Sequence, residues 1–270
     1  VMSEEKTYFF GKLEDLKSAY TGNDVTIAPL DTGIDLSALR IDVSTGYDFA
    51  GSNRLAGSTS TNFTDTLGHG TKTASVIKGE DGSGIASEAE LMALKVFDDT
   101  SSTSSDIVAN AIYYASDNGA DILAITFSLD PMNDLIRSAI DYALNKGKII
   151  VAAAGNEGAE ISSTSLAAQD GIITVGALDA NGQRSSWSNY GDELDLLAPW
   201  DVVTLEGASG EKGTSYSAAF VAGVAALLLE KSPTMSREEV LSELKKIFGE
   251  ESDQAYSECA GFIASPEVAA

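Results

Sequence analysis

The chain has 270 residues, 43% of them apolar, with 25 Gly and only 5 Pro, which fits one large globular α/β domain and excludes a disordered or low-complexity chain. Its 41 acidic against 17 basic residues leave a net charge of -24, which excludes nucleic acid and an anionic membrane surface as partners, because both need clustered Lys and Arg. The single cysteine, Cys259, excludes an internal disulfide, and the longest apolar run, Ala218–Leu229, is too short to span a bilayer.

In chain order, the N-terminus from Val1 to Glu5 has no basic region followed by an apolar core, so no signal peptide is expected, and a first residue other than Met suggests a processed or trimmed chain. Val25–Leu30 reads as a buried strand ending at Asp31-Thr32-Gly33, and Leu91–Phe97 as a second strand. Asp106–Asn118 reads as a helix with Ile107, Ala111, Ile112 and Ala115 on one face. Ile122–Phe127 follows as a strand, Asp134–Lys146 as a helix stopped by Gly147, then Lys148–Ala153 and Ile172–Val175 as strands. Tyr216–Glu230 is apolar nearly all round and predicts a buried helix; a last helix starts near Ser236, where Ser236 and Glu239 form a capping box. The loops Gly51–Asn62 and Asp98–Ser105, rich in Gly, Ser, Thr and Asn, are expected to be exposed.

Strands alternating with helices predict a three-layer α/β sandwich, a mostly parallel sheet flanked by helices, in a single domain over 1–270. In such sheets function gathers at the carboxyl ends of the strands.

Four residues at Gly-flanked ends of elements carry chemistry. His69, in Gly68-His69-Gly70-Thr71, is the only histidine, so any imidazole base must be this one and a multi-His metal site is excluded. Asp31 ends a strand and is a candidate to orient that imidazole. Ser215, in Gly213-Thr214-Ser215, precedes the buried helix, where end amides favour developing negative charge; Ser217 competes for the same role. Asn156, in Ala154-Gly155-Asn156-Glu157-Gly158, is a candidate amide donor for an oxyanion. Singly, each fits a bland role: Asp31 and Asn156 in turns, Ser215 as a helix cap, His69 as a structural residue. Asp-Thr-Gly is also an aspartic-peptidase signature, but one copy would demand a homodimer, and the α/β pattern is wrong for it.

Together the motifs resemble the subtilisin-like serine peptidases from about Tyr20 to Ala264. The markers are Asp31-Thr32-Gly33-Ile34-Asp35, Gly-His-Gly-Thr at 68–71, Ala-Gly-Asn-Glu-Gly at 154–158 and Gly-Thr-Ser at 213–215, supported by Leu94-Lys95-Val96, Ser128-Leu129, Val175-Gly176-Ala177 and Ala198-Pro199. The resemblance implies an endopeptidase with Asp31, His69 and Ser215 as triad and Asn156 as oxyanion donor. It implies substrate binding along the backbone of Ser128, Leu129 and Asp130 and of Ala152, Ala153, Ala154 and Gly155, by strand addition. Its substrate is then a protein or peptide, with its own cleaved prodomain as a further partner, and secretion is expected, with a cytoplasmic location as the alternative. No cofactor is required. The short segment between His69 and Leu91 argues against the family's high-affinity calcium site; other calcium binding stays open, with no site located.

The chain departs from the family at Lys72, where His is usual, at Tyr216, where Met is usual, and at Ala219-Phe220, where Pro-His is usual. Tyr216 removes an oxidisable thioether, and its bulk is expected to narrow the leaving-group side. Asp130 either favours a basic substrate group or blocks an apolar one. These departures motivate a second reading, a catalytically silent fold that binds a peptide or partner.

Overall fold

The computed structural model describes residues 4–51, 62–80, 83–179, 182–202, 205 and 211–248. Cys259, most of the Gly51–Asn62 loop, part of the 80–84 turn and the end of the family resemblance lie outside these residues.

Seven strands form one sheet: β1 (Thr26–Asp31), β2 (Thr45–Asp48), β3 (Glu90–Lys95), β4 (Ile122–Ile125), β5 (Ile149–Ala153), β6 (Ile173–Leu178) and β7 (Leu196–Pro199). Their order is β2-β3-β1-β4-β5-β6-β7, and every pairing is parallel. The helices are α1 (Glu4–Ala19), α2 (His69–Ile77), α3 (Ser105–Asp117), α4 (Asp134–Asn145), α5 (Thr214–Lys231) and α6 (Arg237–Phe248).

The strand sequences show why there are three layers. Side chains alternate between faces along a strand. Ile122, Ala124, Ile149, Val151 and Ala153 enter the core under α2, α5 and α6. Leu123, Ile125, Ile150 and Ala152 enter a second core under α3 and α4. With both faces covered, β4 and β5 can be apolar at every position, the expected pattern for parallel strands in a covered sheet.

The predicted strands and helices hold to within a few residues. The Ser236–Glu239 box also forms: Glu239 N donates to Ser236 Oγ at 3.3 Å and Ser236 N to Glu239 Oε2 at 2.8 Å. Beside α2, which starts at the glycine-flanked His69, three elements go beyond the strands and helices read from the sequence. In α1, Leu13 and Leu16 are buried and the helix packs on α6 and α5. β2 is an edge strand of Thr-Gly-Tyr-Asp with no apolar run. β7 is a buried Leu-Leu-Ala-Pro strand too short to stand out.

β1 lies between β3 and β4, so the chain leaves it toward opposite edges of the sheet. The crevice beyond the carboxyl ends of such strands is the usual ligand position in an open α/β sheet. α5 runs beneath the sheet with Thr214 through Leu229 all buried, and its first turn ends at that crevice.

Candidate active site

β1 delivers Asp31 into this crevice at its last residue, and α2 delivers His69 at its first. His69 Nδ1 donates to Asp31 Oδ1 at 2.8 Å, and Ser215 Oγ lies 3.0 Å from His69 Nε2. With Nδ1 donating, Nε2 is the acceptor for the Ser215 hydroxyl.

Two glycines are required by close approach. A Cβ on Gly70 would lie 2.2 Å from Gly33 O and 3.1 Å from Asp31 Cβ, so only glycine lets α2 start against the end of β1. A Cβ on Gly213 would lie 2.7 Å from Ser215 Oγ, in the space the hydroxyl occupies. The competing serine is structural: Ser217 is buried and donates to Ala198 O at 2.8 Å.

The Asp31 carboxylate is saturated with donors. Thr32 N reaches Oδ1 at 2.7 Å, Thr73 Oγ1 reaches Oδ2 at 3.0 Å, and Thr126 Oγ1 also donates to Oδ2. Burial pushes its pKa up, but the charge of His69 and these hydrogen bonds outweigh it and hold the group below its ordinary value. For His69, burial disfavours the charged ring. The carboxylate of Asp31, with Asp65 and Glu211 further off, outweighs it and raises the imidazole pKa.

Buried Asp65 anchors the turn that presents His69. Its Oδ1 accepts from Thr32 Oγ1 at 2.9 Å, Leu67 N at 2.9 Å and Gly68 N at 2.8 Å; its Oδ2 accepts from Thr71 N at 2.9 Å and Thr71 Oγ1 at 2.7 Å. Thr32 Oγ1 in turn accepts from Gly70 N at 2.8 Å. The buried Lys95, opposite Asp31 in the β1–β3 register, donates to Thr32 O at 2.8 Å.

Asn156 follows β5. Its Oδ1 accepts from Thr214 N at 2.9 Å and Thr214 Oγ1 at 3.1 Å, which fixes the amide plane and leaves Nδ2 as a donor beside Ser215. The amide of Ser215 lies in the first turn of α5, where helix amides have no intrahelical acceptor. Asn189 holds the Asn156 loop in shape: its Oδ1 accepts from Glu157 N at 3.0 Å and Ala159 N at 3.1 Å, and its Nδ2 donates to Ala154 O at 3.1 Å. Sequence reasoning missed Thr73, Thr126, Asp65 and Asn189, and took Thr214 only as part of the Gly-Thr-Ser motif; of the four missed, Asp65 alone left a trace, as an acid four residues before the histidine.

These groups open on a cleft of about 350 Å³. Asp31, His69, Asn156 and Ser215 line it together with Ser128 and Ala153; Leu67, Phe97 and Phe127 give it an apolar wall. Phe97 and Phe127 meet edge to face at 4.9 Å. Leu129, Asp130, Ala152, Ala154 and Gly155 do not line the cleft. The Asp130 carboxylate accepts from Thr164 Oγ1 at 2.7 Å, Leu129 O accepts from Leu166 N at 2.8 Å, Ala152 is buried in β5 paired with Ile125, and Ala154 N donates to Val175 O at 2.9 Å. Gly155 N donates to Thr214 Oγ1 at 3.1 Å. Of the departures from the family, Ala219 and Phe220 lie in the core, Phe220 packing on Phe248 at 6.0 Å. Among the described residues no group of three or more His, Cys, Asp or Glu could hold a metal ion. No helix among them is long and apolar enough to cross a membrane.

An imidazole bridging a buried carboxylate and a hydroxyl, beside a fixed amide donor on a parallel α/β sheet, defines a class of hydrolase site. The profile of the subtilase family matches residues 22–255. Subtilisin NAT of Bacillus subtilis subsp. natto is 34% identical over 237 residues, which cover 84% of this chain and 61% of that protein. Subtilisin of Bacillus pumilus is 33% identical over 237 residues, covering 84% of each. The solved structure of Sphericase superposes with a TM-score of 0.73 at 31% identity, covering 84% of both chains. The chain belongs to the subtilase family. It spans 61% of the length of the first of these relatives.

Proposed function

We propose that the chain is a serine endopeptidase, a single peptidase domain that cuts proteins or peptides through an acyl-enzyme. The observation that carries this is the continuous contact Asp31–His69–Ser215, at 2.8 and 3.0 Å, beside the anchored Asn156 amide.

Asp31 holds His69 with Nδ1 protonated and Nε2 facing the nucleophile. Nε2 takes the Ser215 proton as Oγ attacks the carbonyl carbon of the scissile bond. The oxyanion is met by Asn156 Nδ2 and the amide of Ser215. His69 then passes its proton to the leaving amine, the C–N bond breaks, and water activated by the same nitrogen releases the acyl group and restores Ser215.

Ser128 and Ala153 at the cleft support docking of an extended substrate there; Leu129, Asp130, Ala152, Ala154 and Gly155 flank these two along the chain without lining the cleft. The apolar wall of Phe97, Phe127 and Leu67 fits an apolar side chain near the cut bond. A cleaved prodomain is the further partner, and secretion the expected location, both on the habit of the family.

Covalent labelling with a fluorophosphonate and mass spectrometry of the labelled peptide test the reading. A stoichiometric adduct on Ser215, absent from Ser215→Ala and His69→Ala, is expected. A folded chain that takes up no label and cuts no peptide would sink it.

A further inference from the structure

Close to His69 but outside the cleft, the carboxylate of Glu211 does two things at once. Its Oε1 receives the ammonium of Lys72, and its Oε2 accepts the Tyr216 phenol at 2.9 Å. Lys72 lies on α2 three residues after His69, and Tyr216 lies on α5 directly after Ser215. The Tyr216 ring is buried and stands 5.7 Å from the His69 ring. None of the three lines the cleft, so Tyr216, buried in the core, does not narrow it as its bulk suggests from sequence. One side chain therefore grips both helices that carry the base and the nucleophile.

We propose that Glu211 is a positioning residue: with Lys72 and Tyr216 it forms a clasp between α2 and α5 that fixes the spacing of His69 Nε2 and Ser215 Oγ. This rests on the serine-peptidase reading of the site. The spacing matters because a contact of 3.0 Å loses most of its value when it stretches by a few tenths of an ångström. An isolated exposed ion pair contributes little. Here the Lys72 side chain is only 17% exposed and the Tyr216 hydroxyl is buried, so both arms are largely removed from water while the Glu211 side chain, 56% exposed, faces it. The clasp also explains two departures from the family as a pair, since Lys72 and Tyr216 share one acceptor.

Charge gives the clasp a signature that a plain strut lacks. Asp31 faces His69 from β1, Asp65 from the turn before α2, and Glu211 from the segment before α5. Lys72 opposes them from α2, and Lys95 on β3 is engaged with Thr32 O and Asp99. Neutralising Glu211 removes one of the charges that favour protonated His69 and moves the acid limb of activity to lower pH.

The test compares the full chain with Glu211→Gln, Glu211→Ala, Tyr216→Phe, Lys72→Met and the Glu211→Ala/Tyr216→Phe double variant in peptide cleavage and fluorophosphonate labelling. Glu211→Ala should lower kcat roughly tenfold with KM within about twofold, short of the ~100-fold that a 1 Å misplacement causes. Glu211→Gln should move the acid limb to lower pH, and the double variant should be no worse than Glu211→Ala. The isosteric Gln variant keeps the test sharp if the Ala variant folds poorly. Glu211 variants that match an active parent in kcat and acid limb overturn the clasp alone. A parent that neither labels nor cuts overturns the peptidase reading and the clasp with it.

Discussion

Asn156 spends its side-chain oxygen on Thr214 N and Oγ1, which leaves its amide nitrogen as the donor this side chain offers at the cleft. Asn156→Ala is therefore expected to lower kcat by roughly 100- to 1000-fold, a magnitude carried over from subtilisin, with circular dichroism unchanged. Turnover at the parent rate would mean that another donor fills the hole. The raised pKa of His69 makes a second expectation. A base works only when neutral, so kcat/KM should fall as pH drops, with a midpoint above the ordinary imidazole value of 6.5. A profile flat from pH 5 to 8 contradicts the assignment. At this scale the sequence was most informative: Asp31, His69, Ser215 and Asn156, read from motifs, meet in one crevice. Thr126 and Thr73 were illegible because a threonine that donates to a carboxylate looks like any other threonine until the chain brings it there. Asp65 and Asn189 were hidden for the same reason, since their work is done on backbone amides that only the folded turns align.

The base and the nucleophile start two helices, α2 and α5, and each start is shaped by a missing side chain. Gly70→Ala would set a methyl group 2.2 Å from a backbone oxygen of Gly33, which cannot swing away as a flexible side chain could. The expected result is a stability loss of about 1–3 kcal/mol in urea unfolding, together with a fall in activity larger than stability alone explains, because α2 is pushed off the strand that carries Asp31. Equal stability and equal turnover would show that the contact relaxes freely. Among elements, the long apolar strands and α5 were legible because burial on all sides leaves an uninterrupted apolar run. β2 was not, since an edge strand of Thr-Gly-Tyr-Asp pairs through its backbone to β3 and needs no apolar side chain to do so. α1 escaped notice because only two of the residues described on it, Leu13 and Leu16, reach the core.

Over the whole molecule the net charge of -24 sets the chain against itself. Raising ionic strength from about 0.01 to 1 M shortens the Debye length from about 30 Å to about 3 Å, which screens that repulsion. The melting temperature should therefore rise across a sodium chloride series, and a melting temperature that falls instead would show that attractive surface pairs outweigh the repulsion. Salt acts on the outside of the molecule; α5 lies at the other extreme, with sixteen consecutive buried residues from Thr214 to Leu229 and contacts to five strands. Deeply packed helices of this kind are the last to exchange their amide hydrogens, opening only when everything opens. The Ser215 amide, without an intrahelical acceptor, lies outside that protection, but the helix it heads lies within it. On the proposed peptidase reading each molecule is exposed to copies of itself, and a segment that frays is open to their attack. By carrying its reactive hydroxyl at the head of a helix buried over sixteen consecutive residues, this chain anchors that hydroxyl to backbone that its neighbours reach only after the core around α5 has opened.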